Sequence, residues 1–285
     1  MDSEPISTQN PYYQALYNVA GKVIIITGGA GLLGSQFTEA LASAGAYPVV
    51  ADIDGGMAGT VASGLQDFFP SSKALPVQVD IADKPSVENM VSHVLDTFGR
   101  IDGLVNNAAI NPKFEKNEGK RHSSSFEEFP LDAWNLSLQV DLTGTFLCTQ
   151  AVGRVMVELQ SGSIVNISST YGNVGPDQRL YEKEGTTERS FKPVSYSVTK
   201  GAILNFTRYL ATYWGKAGIR VNTLTLGGVF NGHDDEFVEK YSWRTPLGRM
   251  ARKDEYCGAL LFLLSGASSY MTGSNMIVDG GWTAW

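Results

Sequence analysis

Tyr196 and Lys200 stand four residues apart in a stretch, 194–214, whose pattern reads as helix, so a phenol and an ammonium share one helical face. An ordinary tyrosine titrates near pH ~10, and a cation within a few ångström lowers such a pKa by roughly 1–3 units, which would make Tyr196 an acid/base near neutral pH. The same spacing also arises on many helices as a packed aromatic beside a solvated lysine. A second constellation gives the pair its context. Gly29, Gly31 and Gly34 form G-x-G-x-x-G directly after the apolar run 22–27 and at the head of a helical pattern. Small residues there let the backbone approach a pyrophosphate at a helix N-terminus. Asp52 closes the next apolar run, 18 residues after Gly34. A carboxylate in that place accepts hydrogen bonds from ribose hydroxyls and repels a 2′-phosphate, which favours NAD over NADP. Asp80, at the end of the third run, either reaches the adenine or caps the helix behind it. Ile53 and Ile81 follow the two aspartates and belong to the same expected cofactor site.

These residues need a scaffold that brings strand ends together, and the patterning predicts one. Residues 22–27, 47–52, 75–80, 103–106, 163–168, 219–225 and 275–278 read as short strands, most too apolar to have a wet face. Helical patterns such as 33–44, 86–98, 131–159, 194–214 and 254–264 lie between them. The alternation predicts an α/β fold, a single-domain, doubly wound parallel sheet of about seven strands with helices on both faces. Residues 1–20 form an N-terminal arm and 21–285 the domain. Ligands in such sheets bind at the carboxyl ends of the strands. Two polar stretches, 111–130 and 170–193, break the rhythm and follow strands; loops of that length are usually lids or binding loops.

Composition narrows the partners. A net charge of −7 argues against nucleic acid or an anionic membrane surface, and 43% hydrophobic with 18% charged residues is an ordinary globular balance. Cys148 and Cys257 lie in apolar runs and read as reduced, structural thiols. His93, His122 and His233 show no metal-ligand spacing, so no metal is expected. No apolar run reaches a membrane span, and the N-terminus lacks a secretory pattern, which leads us to expect a cytoplasmic protein.

With Thr27-Gly28 at the first turn, Asn106-Asn107-Ala108-Ala109 after the fourth strand, Ser169, Tyr196-xxx-Lys200 and Val278-Asp279-Gly280-Gly281 near the end, the chain resembles the short-chain dehydrogenase/reductase family over about residues 20–283. The resemblance implies bound NAD(P), with Tyr196 as general acid/base, Ser169 on the reacting oxygen, and Lys200 holding the nicotinamide ribose and lowering the tyrosine pKa. Ser169 is preferred to Ser168 because Gly172 follows it at the family's spacing. The same likeness places Gly28, Gly29, Gly31, Leu32, Leu33, Gly34, Asn107, Ala108, Ala109, Gly227, Val229 and Asn231 at the cofactor.

The chain departs from the family pattern in four places. Leu32 replaces the middle glycine of the turn, while Gly31 gives the form found in longer, extended members. Asp141 stands where the family's catalytic asparagine helps hold a proton-relay water. Leu226-Gly227-Gly228-Val229-Phe230-Asn231 replaces a Pro-Gly turn ending in threonine. The interval of 27 positions from Ser169 to Tyr196 is long for the family. Residues such as Asp177, Arg179, Tyr181, Glu182, Lys183 and Glu184 are therefore expected to cover the substrate.

Both insertions are polar, which predicts a small hydroxylated substrate, such as a sugar, sugar acid or polyol, rather than a steroid or acyl chain. Residues 186–200 also loosely resemble short-chain members associated with gluconate-type and surface-sugar metabolism. Lys113, Lys116, Lys120 and Arg121 are interleaved with Glu115 and Glu118 and read as a solvated loop more than as an anion site. The apolar surface of 131–159 and 194–214, paired across a two-fold axis in the family, implies a homodimer or homotetramer. The tail from Trp282 to Trp285 is expected to bury against a neighbouring subunit or over a pocket. Two other functions share the fold: an epimerase or dehydratase, which normally carries a further substrate domain, and a dinucleotide sensor, which would be expected to lose the Ser, Tyr or Lys.

Overall fold

A computed structural model describes residues 11–110, 125–182 and 190–285. Its centre is a seven-stranded, all-parallel sheet in the order β3-β2-β1-β4-β5-β6-β7. The strands are β1 (Val23–Thr27), β2 (Tyr47–Asp52), β3 (Leu75–Gln78), β4 (Gly103–Asn106), β5 (Gly162–Ser169), β6 (Ile219–Leu226) and β7 (Asn275–Val278). Every residue of β1 and β4 is buried, because helices cover both faces and leave no wet side. The strand order reverses between β1 and β4, which opens a crevice beyond Thr27 and Asn106.

Helices α1 (Pro11–Tyr17), α2 (Gly34–Ser43), α3 (Gly55–Phe68) and α4 (Lys84–Phe98) precede β4. Asp54 and Asp83 cap α3 and α4 by accepting from Met57 N–H and Ser86 N–H. Helices α5 (Leu131–Leu138) and α6 (Thr145–Leu159) are joined by a π-helical turn, Gln139–Gly144. After β5 come α7 (Thr170–Asn173) and α8 (Val194–Trp214), and after β6 come α9 (Asp235–Arg244) and α10 (Cys257–Leu264). One core layer holds Val87, Val94, Cys148, Met156 and Leu210 against the sheet; the opposite layer holds Phe37, Leu41, Leu260 and Leu263. Each such aliphatic side chain contributes about 1.5–3 kcal/mol by leaving water.

The structure corrects several expected boundaries. The third strand ends at Gln78, because the Asp80 carboxylate turns back to accept from Ala82 N–H at 2.9 Å and Asp83 becomes the helix cap. The single helix expected over 131–159 contains the π-turn, and the last helix begins at Cys257 rather than 254. The stretch 170–193 is not a bare loop: it opens with α7 and carries a 3-10 turn, Gln178–Tyr181. Among the described residues no helix is long and apolar enough to cross a membrane, and no cluster suited to a metal ion occurs. The residues 1–10 of the expected arm, Lys113, Lys116, Lys120, Arg121 and His122 of the first insertion, and Lys183 and Glu184 of the second lie outside the described residues.

Candidate active site

The crevice between β1 and β4 is built largely from backbone. Gly28 has φ +62, and a methyl on it would stand 2.9 Å from Ala108 Cα, so the first turn and the segment after β4 touch. A methyl on Gly34 would stand 1.9 Å from the Gly28 carbonyl oxygen, whereas one on Gly31 would stand 3.3 Å from it. Thr27 Oγ1 accepts from Asn107 N–H and Ala108 N–H, each at 3.1 Å, and donates to the Val105 carbonyl. The Asn107 amide donates to the Thr27 and Gly28 carbonyls. The Asn107 side chain thus braces the turn from behind. The Asp52 carboxylate accepts from Ala30 N–H at 3.0 Å and from Asp54 N–H at 3.1 Å, tying the same turn to β2.

These contacts leave the rim open. The N–H groups of Leu32 and Leu33, at the head of α2, have no hydrogen-bond partner among the described residues, the ordinary condition of a helix N-terminus that receives an anion. Ile53 is 67% exposed at the end of β2, an apolar surface beside Asp52. Ile81, by contrast, is buried under Gly144. The residues present fit a dinucleotide.

At the end of β5, Ser168 and Ser169 point to different tasks. The Ser168 hydroxyl donates to the Lys200 carbonyl at 2.8 Å, and Gly172 packs so closely there that a methyl on it would lie 2.5 Å from that oxygen. The Ser169 hydroxyl caps α7 by accepting from Tyr171 N–H and lies beside the Tyr196 phenol, whose pKa it draws down. Lys200 is buried, and its ammonium donates to the Ile167 carbonyl at 3.1 Å. Asp141 is buried within the π-turn, its two oxygens accepting from Ile110 N–H at 2.8 Å and Thr199 Oγ at 3.0 Å. An extra residue in a helical turn re-aims one side chain without breaking the helix, and π-turns recur at functional sites for that reason.

The electrostatics differ from the sequence-based expectation. Burial pushes the Tyr196 phenol above its ordinary range; the neighbouring Ser169 hydroxyl opposes this and the Asp141 charge adds to it. The Lys200 ammonium faces the Ile167 carbonyl and feels the Asp141 charge; it lies 5.9 Å from the Tyr196 ring centroid and does not overcome that burial. Burial lowers the Lys200 pKa and Asp141 raises it back. Asp141 is itself raised by burial, against the pull of Lys200, Ile110 N–H and Thr199. Tyr196 therefore rests as a protonated acid.

Above this centre lies an aromatic cluster that the polar character of residues 170–193 did not announce. Tyr171, Leu180, Tyr241, Met250 and Trp282 are buried together, with Tyr181, Tyr196 and Phe237 against them. Trp282 stacks on Tyr241 at 4.3 Å and meets Tyr171 edge-on, so it buries within its own chain, while Trp285 is exposed. Asp177 pairs with Arg179 and Arg244, and the Arg244 guanidinium lies over Trp282.

Several site residues escaped the motifs. Tyr241 accepts from Gly228 N–H at 2.6 Å and Tyr256 donates to the Gly227 carbonyl at 3.0 Å, pinning the glycine turn after β6. Val229 forms a bridge to Ala251 through its neighbours' groups, Gly228 O and Phe230 N, which turns its own N–H and carbonyl the other way. Asn231 is exposed and donates its N–H to His233. Lys192, just ahead of α8 and four residues before Tyr196, places its ammonium 3.9 Å from the Tyr196 ring centroid; that spacing was its only signal in the sequence.

Known proteins are similar to this chain in sequence and fold. The family model described as enoyl-(acyl carrier protein) reductase matches residues 29–283. The chain is 32% identical over 272 residues to D-threitol dehydrogenase of Mycolicibacterium smegmatis, covering 94% of this chain and 95% of that protein. It is 30% identical to the NAD-dependent glycerol dehydrogenase of Listeria innocua, covering 94% and 96%. The crystal structure of a gluconate 5-dehydrogenase from Burkholderia cenocepacia, in complex with NADP and tartrate, superposes with a TM-score of 0.83 at 29% identity, covering 96% of this chain and 99% of that one. By its fold, its motifs and these matches, the chain belongs to the short-chain dehydrogenase/reductase family.

Proposed function

We propose that this protein is an NAD(H)-dependent oxidoreductase that interconverts a secondary alcohol and a carbonyl on a small hydroxylated substrate. The observation that carries this reading is the joint placement of Ser169, Tyr196 and Lys200 at the β5 end, beside a crevice that fits a dinucleotide. The likeness to enzymes named for threitol, glycerol and gluconate supports a polyol, sugar or sugar acid as substrate.

The Leu32 and Leu33 amides would receive the pyrophosphate, and Asp52 the adenosine ribose. Ile53 and Asp80 would flank the adenine, whereas Ile81 packs under Gly144 away from it, and Ala108 and Ala109 would line the crevice. Val229 would meet the carboxamide through its backbone, with Asn231 near the phosphates and Lys200 on the nicotinamide ribose. The bound nicotinamide supplies the hydride acceptor or donor. The protein moves the accompanying proton: the Tyr196 phenol gives it to a carbonyl oxygen, or takes it from a carbinol once ionised, while the Ser169 hydroxyl holds that oxygen. The Ile167 carbonyl accepts from the Lys200 ammonium and the Asp141 charge favours its protonated form, so the ammonium is directed before substrate arrives.

The Asp52 carboxylate at the β2 end supports NAD over NADP. The exposed face of α6 and α8, with Phe146, Tyr209 and Tyr213, supports pairing of two copies into a dimer or tetramer. Initial rates with NAD and NADP across a panel of polyols, sugars and sugar acids test the assignment. Turnover with NAD at a kcat/KM at least tenfold above that with NADP is expected; no reduction of either cofactor by any member of the panel would refute it.

A further inference from the structure

The turn that follows β6 contains Gly227 and Gly228, a pair whose backbone is intrinsically free, yet every polar group of that backbone is engaged. Gly227 N–H donates to the Val278 carbonyl at 2.9 Å, and the Gly227 carbonyl accepts from Tyr256 Oη at 3.0 Å. Gly228 N–H donates to Tyr241 Oη at 2.6 Å, and the Gly228 carbonyl accepts from Ala251 N–H at 2.9 Å. Val229 is the exception: its N–H and carbonyl have no hydrogen-bond partner among the described residues. A donor and an acceptor on one residue match the carbonyl and amino groups of a carboxamide.

Hydrogen bonds, more than packing, hold this turn. A cavity of about 150 Å³ lies against Gly227, Gly228, Tyr241, Tyr256 and Asp279, so apolar contact alone does not set the turn's position. The two phenols come from separate elements, Tyr241 from α9 and Tyr256 from the residue heading α10. Both are buried, which raises both pKa values above the ordinary tyrosine range and keeps each phenol neutral. Tyr241 is fixed further by its stack on Trp282. It approaches the turn so closely that a methyl on Gly228 would stand 2.6 Å from its Cζ.

We propose that Tyr241 and Tyr256 are positioning residues for the nicotinamide: together they aim the Val229 N–H and carbonyl at the carboxamide and so fix the rotation of the ring against the substrate. This rests on the reading of the site as a nicotinamide-dependent oxidoreductase and adds what orients the reacting end of the cofactor. Neither phenol touches the reacting atoms; each acts through one backbone group of the turn. Tyr241 also links the two sides of the site, because Phe237 on the same helix packs against Tyr181 at 5.7 Å.

The test is calorimetric titration of NADH and of ADP-ribose, which lacks the nicotinamide, into the wild type, Tyr241→Phe, Tyr256→Phe and the double variant. NADPH and 2′-phospho-ADP-ribose are run in parallel. Each single change should weaken binding of the reduced cofactor about 3- to 10-fold, and the double variant more, while the ADP-ribose dissociation constant stays within about twofold. This readout does not require turnover. With a substrate that is turned over, the kcat/KM preference for NAD over its 3-acetylpyridine analogue should fall by a similar factor, because the analogue lacks the amino group that the Val229 carbonyl would accept from. A merely structural role would weaken reduced cofactor and ADP-ribose alike. That result, or unchanged affinity for the reduced cofactor in the double variant, would overturn the proposal and leave the oxidoreductase reading intact. A wild type that binds no reduced cofactor and neither ADP-ribose would overturn that reading and the proposal with it. If the double variant does not fold, the single variants carry the same comparison.

Discussion

The two halves of the site are made from different materials. On the cofactor side, the first turn and the segment after β4 meet backbone to backbone: Gly28 against Ala108, Gly34 against Gly28, and Thr27 and Asn107 bridging them with short hydrogen bonds. On the substrate side, side chains do the work: Tyr171, Tyr181, Tyr241 and Trp282 pack into one cluster, and Lys192 lies over Tyr196. Backbone close approach demands particular residues at particular positions, whereas an aromatic cluster can be assembled from many sequences. The first side should therefore fail sharply when touched and the second by degrees.

The sharpest break is expected at Gly34→Ala. The methyl group would collide with the Gly28 carbonyl, so the turn must open; we expect a loss of roughly 3 kcal/mol or more in stability and at least 100-fold weaker cofactor binding. Gly31→Ala meets only a 3.3 Å contact and should lose less than a tenth of that affinity effect, which makes the pair a control on the backbone account. Fluorescence titration of cofactor with thermal melts measures both.

A smaller change should follow Asp52→Asn, which removes the charge that repels a 2′-phosphate but keeps one oxygen, able to accept from Ala30 N–H or Asp54 N–H. The ratio of kcat/KM for NADP over NAD should rise about 10- to 100-fold; a constant ratio would remove Asp52 from cofactor choice.

On the substrate side, Tyr241→Phe strips the acceptor from Gly228 N–H but keeps the stack on Trp282. It should cost about 1–3 kcal/mol in urea unfolding and raise the cofactor KM severalfold. A larger effect here than at Gly34 would reverse the contrast between the two halves.

The smallest effect belongs to Glu255, which accepts from Arg249 through both oxygens and from Arg252 N–H, with its pKa held down to about 2. Its folded pKa is depressed, so its stabilisation is full above the ordinary value of about 4.5 and is lost as pH falls toward 2. The pair is partly exposed and solvent-screened, so Glu255→Gln should cost under about 1 kcal/mol at neutral pH and nothing measurable near pH 2.

What the sequence made legible follows the same division. The strand runs, the reversal of strand order and the glycine turn were readable because burial on both faces and close backbone approach leave strong marks: unbroken aliphatic runs and glycines at fixed intervals. Asp141 was readable as a position, but not the π-turn that aims it or the Ile110 and Thr199 groups that occupy its oxygens. Residues 170–193 read as polar because Asp177, Gln178, Arg179 and Glu182 dominate the composition. Leu180 and Tyr181, between them, do the packing, and one-letter polarity hides that alternation. Lys192 was hidden for a different reason: only the fold shows that this residue, ahead of α8, lies over the Tyr196 ring. Proximity in sequence says nothing of burial, which raises the Tyr196 pKa where the nearby lysine alone would lower it.

We propose that Tyr196, a buried and protonated phenol, carries the reacting proton. This role is tested most directly by the pH dependence of kcat in both directions for the wild type and Tyr196→Phe, with cofactor binding measured alongside. Because the phenol is raised above its ordinary value near pH ~10, carbonyl reduction should be level through neutral pH, and alcohol oxidation should climb steadily with pH toward that ionisation. Tyr196→Phe should bind cofactor normally and lose about 10²- to 10⁴-fold in kcat in both directions. A Tyr196→Phe enzyme that turns over at the wild-type rate, or an oxidation rate that already levels below neutral pH, would contradict it.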